Sequence, residues 1–455
     1  MELKGKKALV VGLGRTGEAV CAFLDQRGAR VKISEKKSAE ELGKHVLFWQ
    51  KRGVEVEAGG HEPHSFLEAD LIIPSPGVPY LPELEAARHK GVAILSEIEL
   101  AFKFLKGKIV GITGTNGKST TATLTHKIIK EGGFRSHLAG NIGTPLIQFV
   151  DYSQSDDIYV TELSSFQLRY IDEFRATVSV FLNISLDHLD WHTDFDDYYE
   201  SKKNLFLNQK KDDTAILNRD DPHIWDLRNM GEYHVYGFSQ ERELSHGCWI
   251  QNDWIILANE KQEKLMPTAE TPLLGAHNRE NIMASALVGL VFGIPSLDLK
   301  ESIKGFEGLE HRLEKVLTLG EVEFYNDSKA TNVNATLKSI QSFSRPIILI
   351  LGGRDKGGNF SLLREPVKER VKTIILIGEA KDKIEKSLNA TVPVMRASDL
   401  AEAVRFAHSV ALPGEVVLLA PGCTSFDMFR NFEDRGRAFK TEVYELKKRV
   451  DNGKV

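Results

Sequence analysis

The run Gly111-Ile-Thr-Gly-Thr-Asn-Gly-Lys-Ser-Thr120 admits few folds. It follows the apolar segment Lys108-Ile-Val110 and precedes Thr121-Ala-Thr-Leu-Thr-His-Lys-Ile-Ile129, whose apolar spacing suits a helix. A glycine-rich turn between strand and helix exposes backbone N–H groups, and the helix N-terminus adds partial positive charge. Such a junction wraps a phosphate chain. Gly114, Thr115, Asn116 and Gly117 would form the wrap, Lys118 would reach the terminal phosphates, and the Ser119 or Thr120 hydroxyl would ligate Mg²⁺. The strict phosphate-loop pattern wants glycine at position 112, where this chain has Ile112, so the loop is a variant. ATP or a relative is the expected ligand.

Short apolar strands alternate with amphipathic helical stretches through most of the chain, which predicts an α/β fold with mostly parallel sheets. Three units share a strand-then-glycine-turn design: Lys7-Ala-Leu-Val-Val-Gly-Leu-Gly14, the phosphate loop, and Pro346-Ile-Ile-Leu-Ile-Leu-Gly-Gly353. Each is far enough from the next to open its own sheet. The expectation is therefore three domains: an N-terminal Rossmann-like nucleotide-binding domain over 1–96, a central P-loop ATPase-like domain over 97–309, and a C-terminal Rossmann-like domain over 310–455. Between Gly231 and Pro267 the chain turns polar and strand-like, with Cys248-Trp-Ile250 and Trp254-Ile-Ile-Leu257, and a β-rich edge is expected there.

Composition excludes several classes. At 455 residues, with 42% hydrophobic and 27% charged, the chain reads as globular rather than disordered or fibrous. A formal charge of −5 gives no general attraction for nucleic acid. Cys21, Cys248 and Cys423 are odd in number and far apart, which argues against a disulfide framework or a cysteine zinc site. The apolar run Ala8–Val11 is too short for an export signal, and no apolar run has the length of a membrane span. A cytoplasmic monomer with small-molecule substrates, no nucleic acid and no membrane is the expectation.

Gly12-Leu-Gly-Arg-Thr-Gly17 matches the dinucleotide fingerprint, and Glu35 closes the next strand at a distance suited to a ribose. Taken alone this would suggest a nicotinamide dehydrogenase, but the same turn can hold the diphosphate of another nucleotide. Ser75-Pro-Gly77 follows the strand Leu71-Ile-Ile73, where an open α/β sheet places ligand loops. Glu162 ends the strand begun at Tyr159, where a carboxylate can complete a Mg²⁺ shell. Val178-Ser-Val-Phe-Leu-Asn-Ile184 leads to Asp187-His188. His188 and His192 lack the further nitrogen or sulfur ligands of a zinc site, so on chemistry alone His188 reads as structural. In the last third, Tyr325–Thr331, Gly352–Gly358 and Ala420–Phe429 each follow a strand. Together they outline one crevice in which Thr331, Lys356 and Ser425 would suit a small acidic ligand.

Thr113-Gly-Thr-Asn-Gly-Lys-Ser-Thr120, Glu162-Leu-Ser-Ser-Phe-Gln167, Asn183…Asp187-His188, Gly275-Ala-His-Asn-Arg-Glu-Asn281 and Glu310-His-Arg312 together resemble the Mur ligase family, in order and over nearly the whole chain. Within it, Asn326-Asp-Ser-Lys-Ala-Thr-Asn332 and Ser425-Phe-Asp-Met-Phe-Arg-Asn-Phe432 with Glu433-Asp-Arg-Gly436 are similar to the branch that adds D-glutamate to UDP-N-acetylmuramoyl-L-alanine in peptidoglycan precursor synthesis.

The resemblance implies roles. Thr16, Glu35, Ser75, Gly77 and Asn141 become contacts of the UDP substrate. Asn278, Asn281, Arg312 and Asp327 join the phosphate loop around ATP. Thr331, Lys356, Ser425, Phe426 and Phe432 fall around the incoming D-glutamate. Ser119, Glu162 and His188 become Mg²⁺ ligands, with two Mg²⁺ sites implied. Lys203, with Lys202 as its neighbour, falls at the position that members carbamylate with CO₂ to support the second ion. Lys118, His188 and Lys203 would be catalytic. No single domain holds all these parts, so closure on binding is expected. Within the family, a member preferring L-glutamate is the alternative.

Overall fold

The computed structural model describes residues 1–185, 187, 191–259, 261–388 and 391–452. The chain divides into two compact units, Met1–Thr271 with Glu280–Phe306, and Pro272–Arg279 with Glu307–Val455. Among the described residues three sheets form, two in the first unit and one in the second.

The first sheet contains β1 (Lys7–Val11), β2 (Arg30–Glu35), β3 (Glu55–Ala58), β4 (Leu71–Pro74) and β5 (Ala93–Ile94). Its order is β3-β2-β1-β4-β5, and every pair is parallel. Strand order reverses between β1 and β4, and an open parallel sheet leaves a crevice at such a point. The helix Arg15–Gln26 enters at once after the glycine turn. A Cβ on Gly17 would lie 2.0 Å from the Gly12 carbonyl oxygen, so only glycine lets helix and strand approach this closely.

The second sheet contains β6 (Lys108–Thr113), β7 (Ser136–Gly140), β8 (Ile158–Glu162), β9 (Val178–Phe181), β10 (Thr214–Asn218), β11 (His234–Ser239), β12 (Gly247–Gln251), β13 (Trp254–Ala258) and β14 (Gln262–Pro267). The order is β14-β13-β12-β11-β10-β9-β6-β8-β7. Pairing is parallel from β7 to β12 and antiparallel for β12–β13 and β13–β14, which is the β-rich edge expected from the sequence. β6 is central, with the ends of β8 and β9 on its two sides. One continuous core links these two sheets, running from Val10 and Leu24 to Tyr159 and Phe181.

The third sheet contains β15 (Glu314–Leu319), β16 (Val322–Asn326), β17 (Ile347–Gly352), β18 (Val371–Ile377), β19 (Val394–Arg396) and β20 (Val416–Leu419), in the order β15-β16-β20-β17-β18-β19. Only β15–β16 is antiparallel. β17 and β20 are buried along their whole length, as strands covered by helices on both faces must be. All three cysteines are buried and unbridged, and among the described residues no helix is long and apolar enough to cross a membrane.

Candidate active site

The phosphate loop leaves β6 and runs into the helix Lys118–Glu131. Gly114 and Gly117 have φ of +150° and +85°, values that L side chains rarely adopt, which is why glycine stands at both positions. The loop is held from the β9 side. Asn183 Oδ1 accepts from Asn116 N at 2.9 Å, and Asn183 Nδ2 donates back to the Asn116 carbonyl at 3.1 Å. Thr115 Oγ1 accepts from Ser185 N and from the Tyr198 hydroxyl, and donates to the Ser185 carbonyl. Lys118 curls over the loop, its Nζ 2.9 Å from the carbonyls of Gly114 and Thr115. Ser119 and Thr120 are buried in the first helical turn. Asn281, on the helix Ala276–Val291, accepts from the Thr121 hydroxyl through Oδ1.

Glu162 stands at the end of β8, in register with Ile112 of β6. A capping box between Ser164 and Gln167 starts a helix directly behind it and sets the exit of the strand. Glu162 is buried; Oε1 accepts from Asn141 Nδ2 at 2.9 Å, and Oε2 has no hydrogen-bond partner among the described residues. An unpartnered buried carboxylate oxygen costs free energy unless something cationic meets it. That oxygen and the Ser119 hydroxyl are both oxygen donors, the kind that Mg²⁺ takes. His188 lies outside the described residues. Both ring nitrogens of His192 are engaged, Nδ1 with Asp197 and Nε2 with Ser165, in keeping with a structural histidine.

The two neighbouring lysines, Lys202 and Lys203, face different ways. Lys203 is half-buried and pairs outward with Glu200 at 3.0 Å, one turn away on the same helix, Phe195–Lys203. Lys202 is the lysine that points inward. Its Nζ donates to the Gly114 carbonyl at 3.0 Å and lies 4.7 Å from the Tyr198 ring centre. Burial, and then the Lys118 charge, hold its amine well below the ordinary lysine value, with Asp187 and Glu162 acting in the opposite sense. Successive helical residues face directions about 100° apart. Counting from Tyr198 in steps of four would have found Lys202 on the buried face.

At the switch point of the first sheet lies a cavity of about 710 Å³, lined by Thr16, Glu35, Ser75, Gly77 and Asn141 among others. The five substrate positions expected from the sequence thus meet in one place. Ser75 Oγ donates to the Gly12 carbonyl, tying the β4 loop to the β1 turn. Glu35 accepts from Leu13 N through Oε2 and from Lys37 N through Oε1.

In the second unit, β16, β20 and β17 are neighbours, so the three polar loops at their carboxyl ends lie side by side. Arg435 joins them. This buried guanidinium donates to Ser328 Oγ at 2.9 Å, to the Ser328 carbonyl at 2.9 Å and to the Cys423 carbonyl at 3.1 Å. Burial brings its pKa down to about 10, so it remains a cation at neutral pH. Ser328 Oγ in turn donates to the Phe432 carbonyl at 2.8 Å, and Lys329 Nζ sits 3.8 Å from the Phe432 ring centre. Ser425 is buried, while Lys356 and Phe426 are exposed. Asp327 is buried; burial lifts its carboxyl to about 6 against the hydrogen bond from Ser339 and the charge of Arg312. Asn278, Arg312 and Asp327 belong to this unit and Asn281 to the other, so the residues expected around ATP are divided between the two. Neither Arg435, whose signal was only its place in the Glu433–Gly436 run, nor Asn183 as a loop clamp was assigned a role from the sequence.

Fold and site define a phosphate-loop α/β protein with a cavity of about 710 Å³ at the switch point of its first sheet and three polar loops side by side at one edge of its third. Three family models match it in succession: "Mur ligase MurD-like, N-terminal domain" over 6–96, "Mur ligase middle domain" over 112–289, and "Mur ligase, glutamate ligase domain" over 311–423. The chain is 42% identical over 448 residues to the UDP-N-acetylmuramoylalanine–D-glutamate ligase of Koribacter versatilis, covering 98% of this chain and 99% of that protein. With the enzyme of the same name from Geotalea daltonii the identity is 44% over 447 residues, at 98% and 99% coverage. Among solved structures, a pseudomurein peptide ligase type C from Methanothermus fervidus superposes with a TM-score of 0.61 at 20% identity, covering 97% of this chain and all of that one. The MurF ligase of Thermotoga maritima, solved with ADP, gives 0.57 at 16%, covering 98% and 96%. The chain belongs to the Mur ligase family.

Proposed function

We propose that this protein joins D-glutamate to UDP-N-acetylmuramoyl-L-alanine in an ATP-dependent amide ligation of peptidoglycan precursor synthesis. The observation that carries this reading is 44% identity along 98% of the chain to a D-glutamate ligase. Residues 1–96 hold the UDP part of the substrate, 97–309 the nucleotide, and 310–455 the amino acid. Thr16, Glu35, Ser75, Gly77 and Asn141 line the cavity for the first.

A carboxylate oxygen of the alanyl group attacks the γ-phosphorus of ATP, the bond to ADP breaks, and an acyl phosphate forms. The amine of D-glutamate then attacks the acyl carbon, loses a proton, and phosphate leaves. Both partners of the first step are anions. Lys118 and the loop N–H groups from Gly114 to Thr120 offset the charge gathering on the transferred group. Ser119 and Glu162 would hold Mg²⁺, which when bound neutralises phosphate charge, and His188 is assigned to the same shell. Asn278, Asn281, Arg312 and Asp327 position the nucleotide. Thr331, Lys356, Ser425, Phe426 and Phe432 receive D-glutamate, with Lys356 pairing a carboxylate.

The carbamylation role passes from Lys203 to Lys202. Burial holds the Lys202 amine well below the ordinary lysine value, and its free-base Nζ can add to CO₂, forming an N–C bond and releasing a proton. The anion produced would support a second Mg²⁺.

The test is phosphate release from ATP and Mg²⁺ with UDP-N-acetylmuramoyl-L-alanine and D-glutamate, L-glutamate or neither. Release that depends on D-glutamate, with the amide product seen by mass spectrometry, is the expected result. Preference for L-glutamate changes the product, and release indifferent to both removes the assignment.

A further inference from the structure

The turn that follows β4 forms part of the cavity wall, yet it has few bonds of its own to hold it. Ser75, Gly77 and Val78 line the cavity. Pro76 and Pro79 supply no backbone N–H, so the segment cannot build a ladder for itself. Its near end is fixed to the first strand: Ser75 N donates to the Val11 carbonyl at 2.8 Å, and Ser75 Oγ to the Gly12 carbonyl at 2.9 Å. Val78 N closes the turn on the Ser75 carbonyl at 3.0 Å. The far end is held from outside the sheet. Trp191 Nε1 donates to the Val78 carbonyl at 2.5 Å, across 113 positions of sequence.

Trp191 is itself seated on the surroundings of the phosphate loop. Its ring centre lies 4.5 Å from that of Phe166 and 4.8 Å from that of His192, and the Arg169 guanidinium is 5.4 Å away. Phe166 belongs to the short helix directly behind Glu162. Arg169 donates to Asp197 at 2.7 Å, and His192 Nδ1 is 2.9 Å from the other oxygen of that carboxylate. Asp197 lies on the helix Phe195–Lys203, which also carries Lys202. A ring packed in this way keeps its single N–H pointed in one direction, and that direction is Val78.

The position of Val78 matters to the rest of the wall. A Cβ on Gly12 would lie 2.9 Å from Val78 Cγ2, so Val78 bounds the glycine turn after β1. Pinned at Ser75 alone, the turn could swing and carry Gly77 and Val78 away from that place. We propose that Trp191 is a positioning residue for the ligand of this cavity: its indole N–H fixes the far end of the Ser75–Val78 turn, so that the wall has its binding shape before the ligand arrives. This rests on the reading that the cavity takes the UDP part of the substrate. A wall ordered in advance loses less entropy on binding. Removing the bond therefore weakens the cavity ligand and spares ligands bound elsewhere.

The experiment compares wild type with Trp191→Phe, which keeps a ring on Phe166 and removes the N–H. By calorimetry on the full-length protein, UDP affinity should fall about three- to tenfold, the share of one hydrogen bond. ATP affinity should stay within about twofold, because the bond that is lost lies at the other cavity. Unchanged UDP affinity overturns the proposal. An equal loss for UDP and ATP also overturns it, since Trp191 would then support the whole unit. A wild type that binds no UDP overturns both the proposal and the reading of the cavity. Proton–nitrogen NMR of the indole groups tests the tie separately. The chain has five tryptophans, and the Trp191 signal is the one missing from the variant. Its N–H should exchange with deuterium slowly in the free protein and more slowly with UDP. Exchange at the rate of an exposed indole would overturn the tie, whether or not UDP binds.

Discussion

Gly117 and Asn281 stand so close that a Cβ built on the glycine would lie 2.2 Å from Asn281 Oδ1. The same oxygen accepts from Thr121, and Ser285, one helical turn further on, meets Thr125 at 3.1 Å. The helix Ala276–Val291 thus holds the phosphate loop and its helix in place through side chains about 160 residues away in sequence.

Gly117→Ala should lower ATP-dependent phosphate release by about a hundredfold or more, because a shift near 1 Å in a phosphate cradle has that scale of effect. It also forces alanine to a φ of +85°, a strain of about 1–2 kcal/mol. Steady-state kinetics and a thermal melt read the two effects separately.

Lys202→Ala should abolish ligation, and Lys203→Ala should leave it within about twofold, since an exposed i,i+3 pair contributes little. With carbon-13 bicarbonate, a carbamate signal should persist in Lys203→Ala and vanish in Lys202→Ala. The opposite pattern would return the role to Lys203.

Folding lifts the Asp327 carboxyl from 3.8 to about 6, so between those values the native state holds a proton that the unfolded chain has lost. Stability therefore falls as pH rises through that window, by about 3 kcal/mol at 1.4 kcal/mol per pH unit. Asp327→Asn should remove this decline. Urea unfolding should find the variant more stable than wild type at pH 7.5 and nearly equal at pH 4, while its ligase activity is lost. Equal stability at pH 7.5 would show that the carboxylate is not penalised.

Arg435→Lys cannot reproduce three directed N–H contacts from one ammonium. The Michaelis constant for D-glutamate should rise at least about tenfold with that for ATP little changed, alongside a loss of roughly 2–4 kcal/mol in stability. An equal rise for both substrates would mean that Arg435 supports the whole unit rather than the loops around Ser328 and Cys423.

Much of this protein was legible in the sequence because it is local. Strand, glycine turn and helix in β6 to Lys118–Glu131, the fingerprint at Gly12–Gly17, and the β-rich edge around Trp249 each depend on residues within one turn or one strand. Of the cavity residues, Glu35, Ser75 and Gly77 follow from strand and loop order, whereas Thr16 and Asn141 were named through the family resemblance. Tertiary structure decided what depends on facing direction and on distant neighbours. Lys202 and Lys203 are alike in composition, and only the packing of their helix buries one and leaves the other half-buried, facing outward. Arg435 gains its task when the ends of β16 and β20 meet the helix Phe432–Asp451. Local patterns specify backbone, but a side chain's partner and proton are settled by the groups that folding brings beside it.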